Sequence, residues 1–197
     1  MNRPPPKLPR ALLFDMDGTL TQPMLDFAAI KAEMRIDSPI LEAMDRMEAE
    51  RRAVCAEILQ RHELAAAEGS LLNSGCGDLL AWIGTQRFST ALVTRNSLMN
   101  VRIVLAKHGL RFDTLVCRED TAPKPDPRPI RLACERLGVL PLDAWMIGDG
   151  RYDIEAGIAA GVRTVWISHG RERYFEAEPW RSVRDLVELR ALLDEHI

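Results

Sequence analysis

The sequence predicts an α/β protein: a parallel sheet wrapped by helices, with a smaller all-helical unit inserted into it. Three observations lead there. Short apolar runs rich in β-branched or aromatic residues alternate with segments of helical period. Runs end on a polar residue (Asp15, Thr94, or Asp149 after Gly148) at the sheet edge where open α/β folds bind ligands. Residues 23–70, by contrast, contain no strand-like run.

The first strand is expected at 11–14, Ala-Leu-Leu-Phe, an unbroken apolar run. The helical insert follows. In it Ile40, Leu41, Met44, Met47, Val54, Ile58 and Leu59 keep helical spacing. Ser38-Pro39 reads as a helix start and Gly69-Ser70 as an end. The methionine stripe suits helix packing better than a cofactor site. Further strands are expected at 90–94, 112–117, 144–147 and 162–167. Between them lie helices at 97–108, with Ser97 as cap and Gly109 as stop, at 127–137 with Pro127 in the first turn, and at 152–160 before Gly161. A last helix at about 182–195 has an apolar band, Val183, Leu186, Val187, Leu189, Leu192 and Leu193, that should dock on the core. The expected organisation is a core domain of residues 7–22 and 71–197 and a cap domain of residues 23–70.

Composition narrows the class. With 197 residues, 47% of them apolar and 28% charged, the chain is neither disordered nor a small disulfide scaffold. A net charge of −3 offers no electrostatic case for nucleic acid or an anionic membrane. No apolar run approaches a membrane span. The run 11–14 is too short for a signal-peptide core, so a soluble cytoplasmic protein is expected. Cys55, Cys76, Cys117 and Cys134 have no metal spacing and read as buried free thiols. Only Lys7, Lys31, Lys107 and Lys124 are lysines, so a catalytic lysine must come from these.

The chemistry gathers at strand ends. Asp15-Met16-Asp17-Gly18-Thr19 puts two carboxylates just past the first strand, Asp15 placed as a nucleophile and Asp17 to give and take a proton. Gly18 permits a tight turn that aims backbone N–H groups at an anion. Gly148-Asp149-Gly150-Arg151-Tyr152-Asp153 adds two more acids on a strand-to-helix turn. Four converging carboxylates repel one another and call for cations, and magnesium suits an all-oxygen set. Lys124, in a proline-stiffened loop, could neutralise a phosphate oxygen and the nucleophile. Thr94, with the backbone N–H groups of the turn Thr94-Arg95-Asn96, could bind a phosphoryl oxygen.

In order and at strand ends, Asp15-x-Asp17-Gly18-Thr19, Thr94, Lys124 and Gly148-Asp149-x-x-x-Asp153 resemble the haloacid dehalogenase superfamily in its phosphatase and phosphomutase branch. The resemblance covers residues 10 to about 170. The insert after the first motif is similar to the small α-helical cap of phosphoglycolate phosphatase-like and β-phosphoglucomutase-like members. Arg95 departs from the pattern, standing where many relatives have a small polar residue or Asn. Leu-Asn-Ser-Gly-Cys-Gly at 72–77 replaces a common Pro-Gly.

The resemblance implies a Rossmann-like core and a magnesium-dependent phosphatase of a small phosphorylated metabolite, acting through an aspartyl-phosphate on Asp15. Asp17 is then the acid and base. Asp15, the Asp17 carbonyl, Asp149 and Asp153 form the metal site, and Gly18, Thr19, Thr94, Arg95, Asn96 and Lys124 hold the phosphoryl group. A β-phosphoglucomutase-type phosphomutase is the alternative. A phosphonate hydrolase would need Lys31 for a Schiff base, and a receiver-like phospho-binding module comes last. Gln22, Met24, Lys31, Arg35 and Arg46 are candidates to face the substrate, with His169 as a site neighbour. No nucleic-acid or membrane partner is expected, and the oligomeric state stays open between monomer and weak dimer.

Overall fold

A computed structural model describes residues 8–195; Lys7, the first residue of the expected core domain, and His196 and Ile197 at its end lie outside them. Six strands form one parallel sheet: β1 (Ala11–Phe14), β2 (Ser89–Val93), β3 (Thr114–Val116), β4 (Ala144–Gly148), β5 (Arg163–Ile167) and β6 (Arg181–Val183). The spatial order is β3-β2-β1-β4-β5-β6. The chain leaves β1 to one side through β2 and β3, then returns through β4 to the other. That reversal falls between β1 and β4, the crevice where such sheets bind ligands.

Eight helices accompany the described strands: α1 (Phe27–Met34), α2 (Ile40–Met44), α3 (Ala49–Gly69), α4 (Cys76–Ile83), α5 (Leu98–His108), α6 (Arg128–Leu137), α7 (Arg151–Ala160) and α8 (Leu186–Asp194). Both sheet faces are covered, which is why the central strands read as unbroken apolar runs. On one face Leu12 and Phe14 pack with Leu79 and Ile83 of α4, Val101 and Val104 of α5 and Leu189 and Leu193 of α8. On the other, Ala11, Leu13 and Met146 pack with Ile130 and Ala133 of α6 and Ala156 of α7. A separate cluster joins α1 to α3: Ile30, Met34, Ile40, Cys55 and Leu59, with Met44 and Met47 against it. The methionines of the insert thus fill its own small core.

Several boundaries differ from the sequence reading. Ser38 is not a cap: Pro39 holds the N-cap position of α2 without a side-chain bond. An earlier helix, α1, is capped instead by Asp26, which accepts the Ala29 N–H. Cys76–Ile83 forms a helix that the sequence reading did not mark out. The last helix starts at Leu186, because Asp185 accepts the N–H groups of Val187 and Glu188 and so caps it there. Residues 181–183 pair with β5 as a sixth strand, and two of them, Ser182 and Val183, lie in the stretch expected to start that helix. Val183 is buried from that strand. The expected strand 112–117 contracts to Thr114–Val116, since the Asp113 carboxylate accepts the N–H and hydroxyl of Thr90. None of the described helices is long and apolar enough to cross a membrane.

Candidate active site

The parallel register brings the motifs together. Phe14, the last residue of β1, lies level with Leu92 of β2 and Ile147 of β4. The residues that follow, Asp15, Thr94 and Asp149, therefore emerge at one sheet edge. The Asp15 N–H donates to the Ile147 carbonyl at 2.9 Å and the Thr94 N–H to the Val116 carbonyl at 2.9 Å, so the ladder still holds both residues.

Lys124 is the centre of the arrangement. Its ammonium is 2% exposed and donates to Asp15 Oδ1 at 2.6 Å, Asp153 Oδ1 at 2.6 Å and the Val93 carbonyl at 2.7 Å. Those three acceptors use every donor a lysine has. Burial alone would push the ammonium towards neutrality, but Asp15 and Asp153 overcome it and its pKa lies above the usual value. Burial drives the Asp15 carboxyl well above its ordinary range, with Asp153 and Asp149 adding to the rise and Lys124 opposing it. Asp149 is raised by burial and by Asp153, against Arg171.

Asp17 leans another way. Its Oδ2 accepts from Asn96 Nδ2 at 3.2 Å, and burial raises its pKa while Asn96 and Lys124 oppose the rise. Gly18 has φ of 87°, and a Cβ there would fall 2.6 Å from the Asp149 carboxylate. Only glycine fits a left-handed position pressed against an acid. Thr19 is fully buried and donates its hydroxyl to Asp149 Oδ1 at 3.3 Å. The Asp153 carboxylate turns back to accept the Gly150 N–H at 3.0 Å, fixing the start of α7.

Asp15, Asp149 and Asp153 each offer an oxygen, all within 4.8 Å of one another. Three convergent carboxylates, of which burial raises Asp15 and Asp149, fit a hard divalent cation, and their all-oxygen chemistry fits magnesium. The Asp17 side chain lies outside that cluster.

Thr94, Arg95 and Asn96 line one cavity with the acids, and each has a partner within the protein. Thr94 is buried, and its hydroxyl accepts the Asn96 N–H at 3.1 Å. Asn96 spends its amide on Asp17. The Arg95 guanidinium is engaged by Glu42 of α2 and by the Lys124 carbonyl. A cavity of about 600 Å³ opens over the acids, with Met24, Leu25, Ile40 and Leu41 from the insert and Tyr152 and Tyr174 from the core among its walls. Met24 and Lys31 reach it, and Lys31 Nζ also lies 3.5 Å from the Asp37 carbonyl. Gln22, Arg35 and Arg46 do not line it. Gln22 donates to the Leu72 carbonyl, and Arg35 ends α1 in a left-handed conformation. His169 Nε2 donates to the Gly18 carbonyl at 2.7 Å.

Sequence reasoning missed five contributors. Arg171 donates to Asp149 Oδ2 at 3.0 Å. Asn73 donates to the carbonyls of Gly18, Thr19 and Thr21, clamping the first motif from the returning chain. Glu63 of α3, 5% exposed, accepts from Arg118 at 2.5 and 2.6 Å, and Asn100 donates to both Glu63 and Asn96. The signal for Asn73 was the unusual sequence at 72–77; the others had none.

An α/β core with an acid cluster at its topological switch point defines a Rossmann-like fold with a candidate catalytic site at its sheet edge. The model of the haloacid dehalogenase-like hydrolases matches residues 9–161, and the chain belongs to that family. It is 32% identical to N-acetylmuramic acid 6-phosphate phosphatase of Pseudomonas putida over 82% of this chain and 83% of that protein. It is 30% identical to phosphoglycolate phosphatase of the same species over 96% and 80%. Among solved structures, a hydrolase from Pseudomonas syringae superposes with a TM-score of 0.79, at 20% identity, over 94% of this chain and 98% of that one. The HAD-hydrolase YfnB from Bacillus subtilis, solved bound to magnesium, gives a TM-score of 0.70 at 24% identity over 95% and 100%.

Proposed function

We propose that this hydrolase is a magnesium-dependent phosphatase of small phosphorylated metabolites that works through a phosphorylated Asp15. The observation that carries the reading is the bridge from Lys124 to Asp15 and Asp153, a buried ammonium between the nucleophile and a metal-site acid. The phosphatase names of the relatives support it.

Lys124 holds Asp15 Oδ1 and leaves Oδ2 to attack phosphorus in line. As the Asp15–phosphorus bond forms, the bond to the leaving oxygen breaks, and Asp17 gives that oxygen its proton. A water then attacks phosphorus. Asp17 takes back a proton, the Asp15–phosphorus bond breaks and phosphate leaves. Burial raises the Asp17 pKa and so favours the protonated form that the first step needs. Asp15, Asp149, Asp153 and the Asp17 carbonyl would hold magnesium, which supplies charge stabilisation to the transferring phosphoryl group. Lys124, its three donors taken by Asp15, Asp153 and the Val93 carbonyl, supplies positive charge beside that group, and the Thr94 hydroxyl, which accepts the Asn96 N–H, turns its own proton towards it. Residues 23–70 act as the cap over the site, their apolar side chains closing one wall of the cavity.

Phosphate release from a panel of phosphorylated metabolites, with magnesium and with chelator, tests this. Turnover should require magnesium and vanish in Asp15→Asn. Wild-type turnover in Asp15→Asn would remove the covalent route.

A further inference from the structure

Arg95 occupies the position where this chain departs from the family pattern. Its guanidinium is held on three sides. Nη1 donates to the Lys124 carbonyl at 2.6 Å, the group lies 4.6 Å from the centre of the Tyr152 ring, and Nη2 donates to both Glu42 oxygens at 2.9 and 3.0 Å. The first two contacts come from the core and fix the fork in place. The third comes from a short helix of the cap and is a carboxylate. Arg95, Tyr152 and Lys124 all line the cavity above Asp15.

We propose that Arg95 is the receptor for a carboxylate of the substrate, and that Glu42 is the cap's own carboxylate competing for it. This rests on the phosphatase reading and adds a substrate class: small phosphomonoesters of hydroxy acids.

Three features support the assignment. First, the Arg95–Glu42 pair is replaceable. Its side chains are 23% and 33% exposed, and partly exposed ion pairs contribute little net free energy, so a substrate carboxylate displaces Glu42 at small cost. Second, the guanidinium is pre-organised. The Lys124 carbonyl and the Tyr152 face keep its orientation when Glu42 leaves, so little side-chain entropy is lost on binding. Third, the two sites open on one cavity. Arg95, Lys124 and Asp15 all line it, so one small guest can present a phosphoryl group to Asp15 and a carboxylate to Arg95. Lys31 and Arg151 also line the cavity.

The test compares ester pairs that differ at the carboxylate: 2-phosphoglycolate against 2-hydroxyethyl phosphate, and 3-phosphoglycerate against glycerol 3-phosphate. The readout is the ratio of kcat/KM within each pair. Wild type should prefer the acid. Arg95→Ala should reduce the ratio about ten- to a hundredfold, the usual weight of a hydrogen bond to a charged group. Arg95→Lys should recover part of it. Glu42→Gln should raise the ratio by lowering KM for the acid, whereas a purely structural tie would not. A ratio that stays the same in Arg95→Ala overturns the proposal while leaving the phosphatase reading intact. Should no ester turn over with magnesium, the phosphatase reading fails, and calorimetric binding of 2-phosphoglycolate to Asp15→Asn decides the receptor separately. Preference for the acid that Arg95→Ala abolishes supports the proposal, and equal binding of acid and alcohol overturns it.

Discussion

Asn96 donates its side-chain amide to Asp17, 3.2 Å from Nδ2 to Oδ2. The direction of that bond is imposed by the far side of the amide. Asn96 Oδ1 accepts from the Ser97 N–H at 2.8 Å and from Asn100 Nδ2 at 3.2 Å, so the NH₂ group can only face Asp17. Asn100 is anchored in turn by Glu63, a buried carboxylate of helix α3 paired with Arg118. The proposed acid and base is therefore positioned by a polar chain that begins in the insert.

Replacing Asn96 should show this. Asn96→Ala removes the donor, and kcat should fall about tenfold, the weight of one hydrogen bond to a charged group, with a smaller change in KM. Asn96→Asp should fall further, because a second carboxylate then faces Asp17. Phosphate release at saturating substrate, read beside the thermal midpoint of each variant, checks both. A kcat within twofold of wild type in Asn96→Ala would leave Asn96 as a structural residue only.

The acid cluster makes a stability prediction. Carboxylates that crowd one another gain from a divalent cation, and ligand binding to the folded state raises its stability. Magnesium at 100 times its dissociation constant adds about 2.7 kcal/mol. For a chain of this size that is about 5–10 °C in Tm. Asp149→Asn should shrink the shift to near zero. Gly18→Ala should do so as well, since its Cβ would lie 2.6 Å from the Asp149 carboxylate and must push it aside. A full shift in either variant would place the ion elsewhere.

How far the sequence reached follows from the physics of each contact. Asp15, Asp149 and Asp153 were legible because a strand end projects the next residues to the same edge in every strand of a parallel sheet. Lys124 was legible through the scarcity of lysine and the prolines around it. Arg171, Glu63 and Asn73 were not. They reach their partners across sequence separations of 22, 37 and 52–55 residues; the run at 72–77 stood out as unusual, but nothing local showed what these side chains would touch. Strand β6 escaped notice because its Arg-Ser-Val is too short to alternate, and Val183 happens to fall on the helical period of the segment that follows. Arg95 was assigned to the phosphoryl group from its place beside Thr94, but its guanidinium pairs with Glu42 of α2.

Lys124 offers a prediction with a pH signature. Lys124→Met keeps length and removes charge, leaving Asp15 and Asp153 buried without their shared cation. Removing one partner of a buried ion pair costs about 3–5 kcal/mol. The burial that raises the Asp15 pKa lets it take up a proton as pH falls, which relieves the repulsion. The deficit against wild type should thus be larger at pH 8 than at pH 5, and added magnesium should reduce it. Urea midpoints at the two pH values measure this, and a deficit independent of pH would mean that lost packing dominates. Phosphatase activity should be lost at both.

The buried thiols set the alkaline limit. Burial pushes Cys76 and Cys134 up to about 11 and Cys117 up to about 12, against an ordinary 9.0. In the unfolded chain these thiols ionise near the ordinary value, while in the folded chain they keep their protons. Between those values the unfolded state binds fewer protons than the folded one, so stability falls as pH rises. The contribution is complete below pH 9 and disappears between pH 9 and about 11 to 12. Lys124 acts in the same direction, its pKa being raised by Asp15 and Asp153. The urea midpoint should therefore decline from pH 8.5 to pH 10.5, and Cys117→Ala should flatten part of that slope. Below pH 9 the same burial should keep Cys76, Cys117 and Cys134 of the native protein slow towards a thiol-specific disulfide reagent, and unfolding in urea should release them. Rapid labelling of Cys117 in the native protein at pH 8 would contradict its burial and the alkaline slope assigned to it.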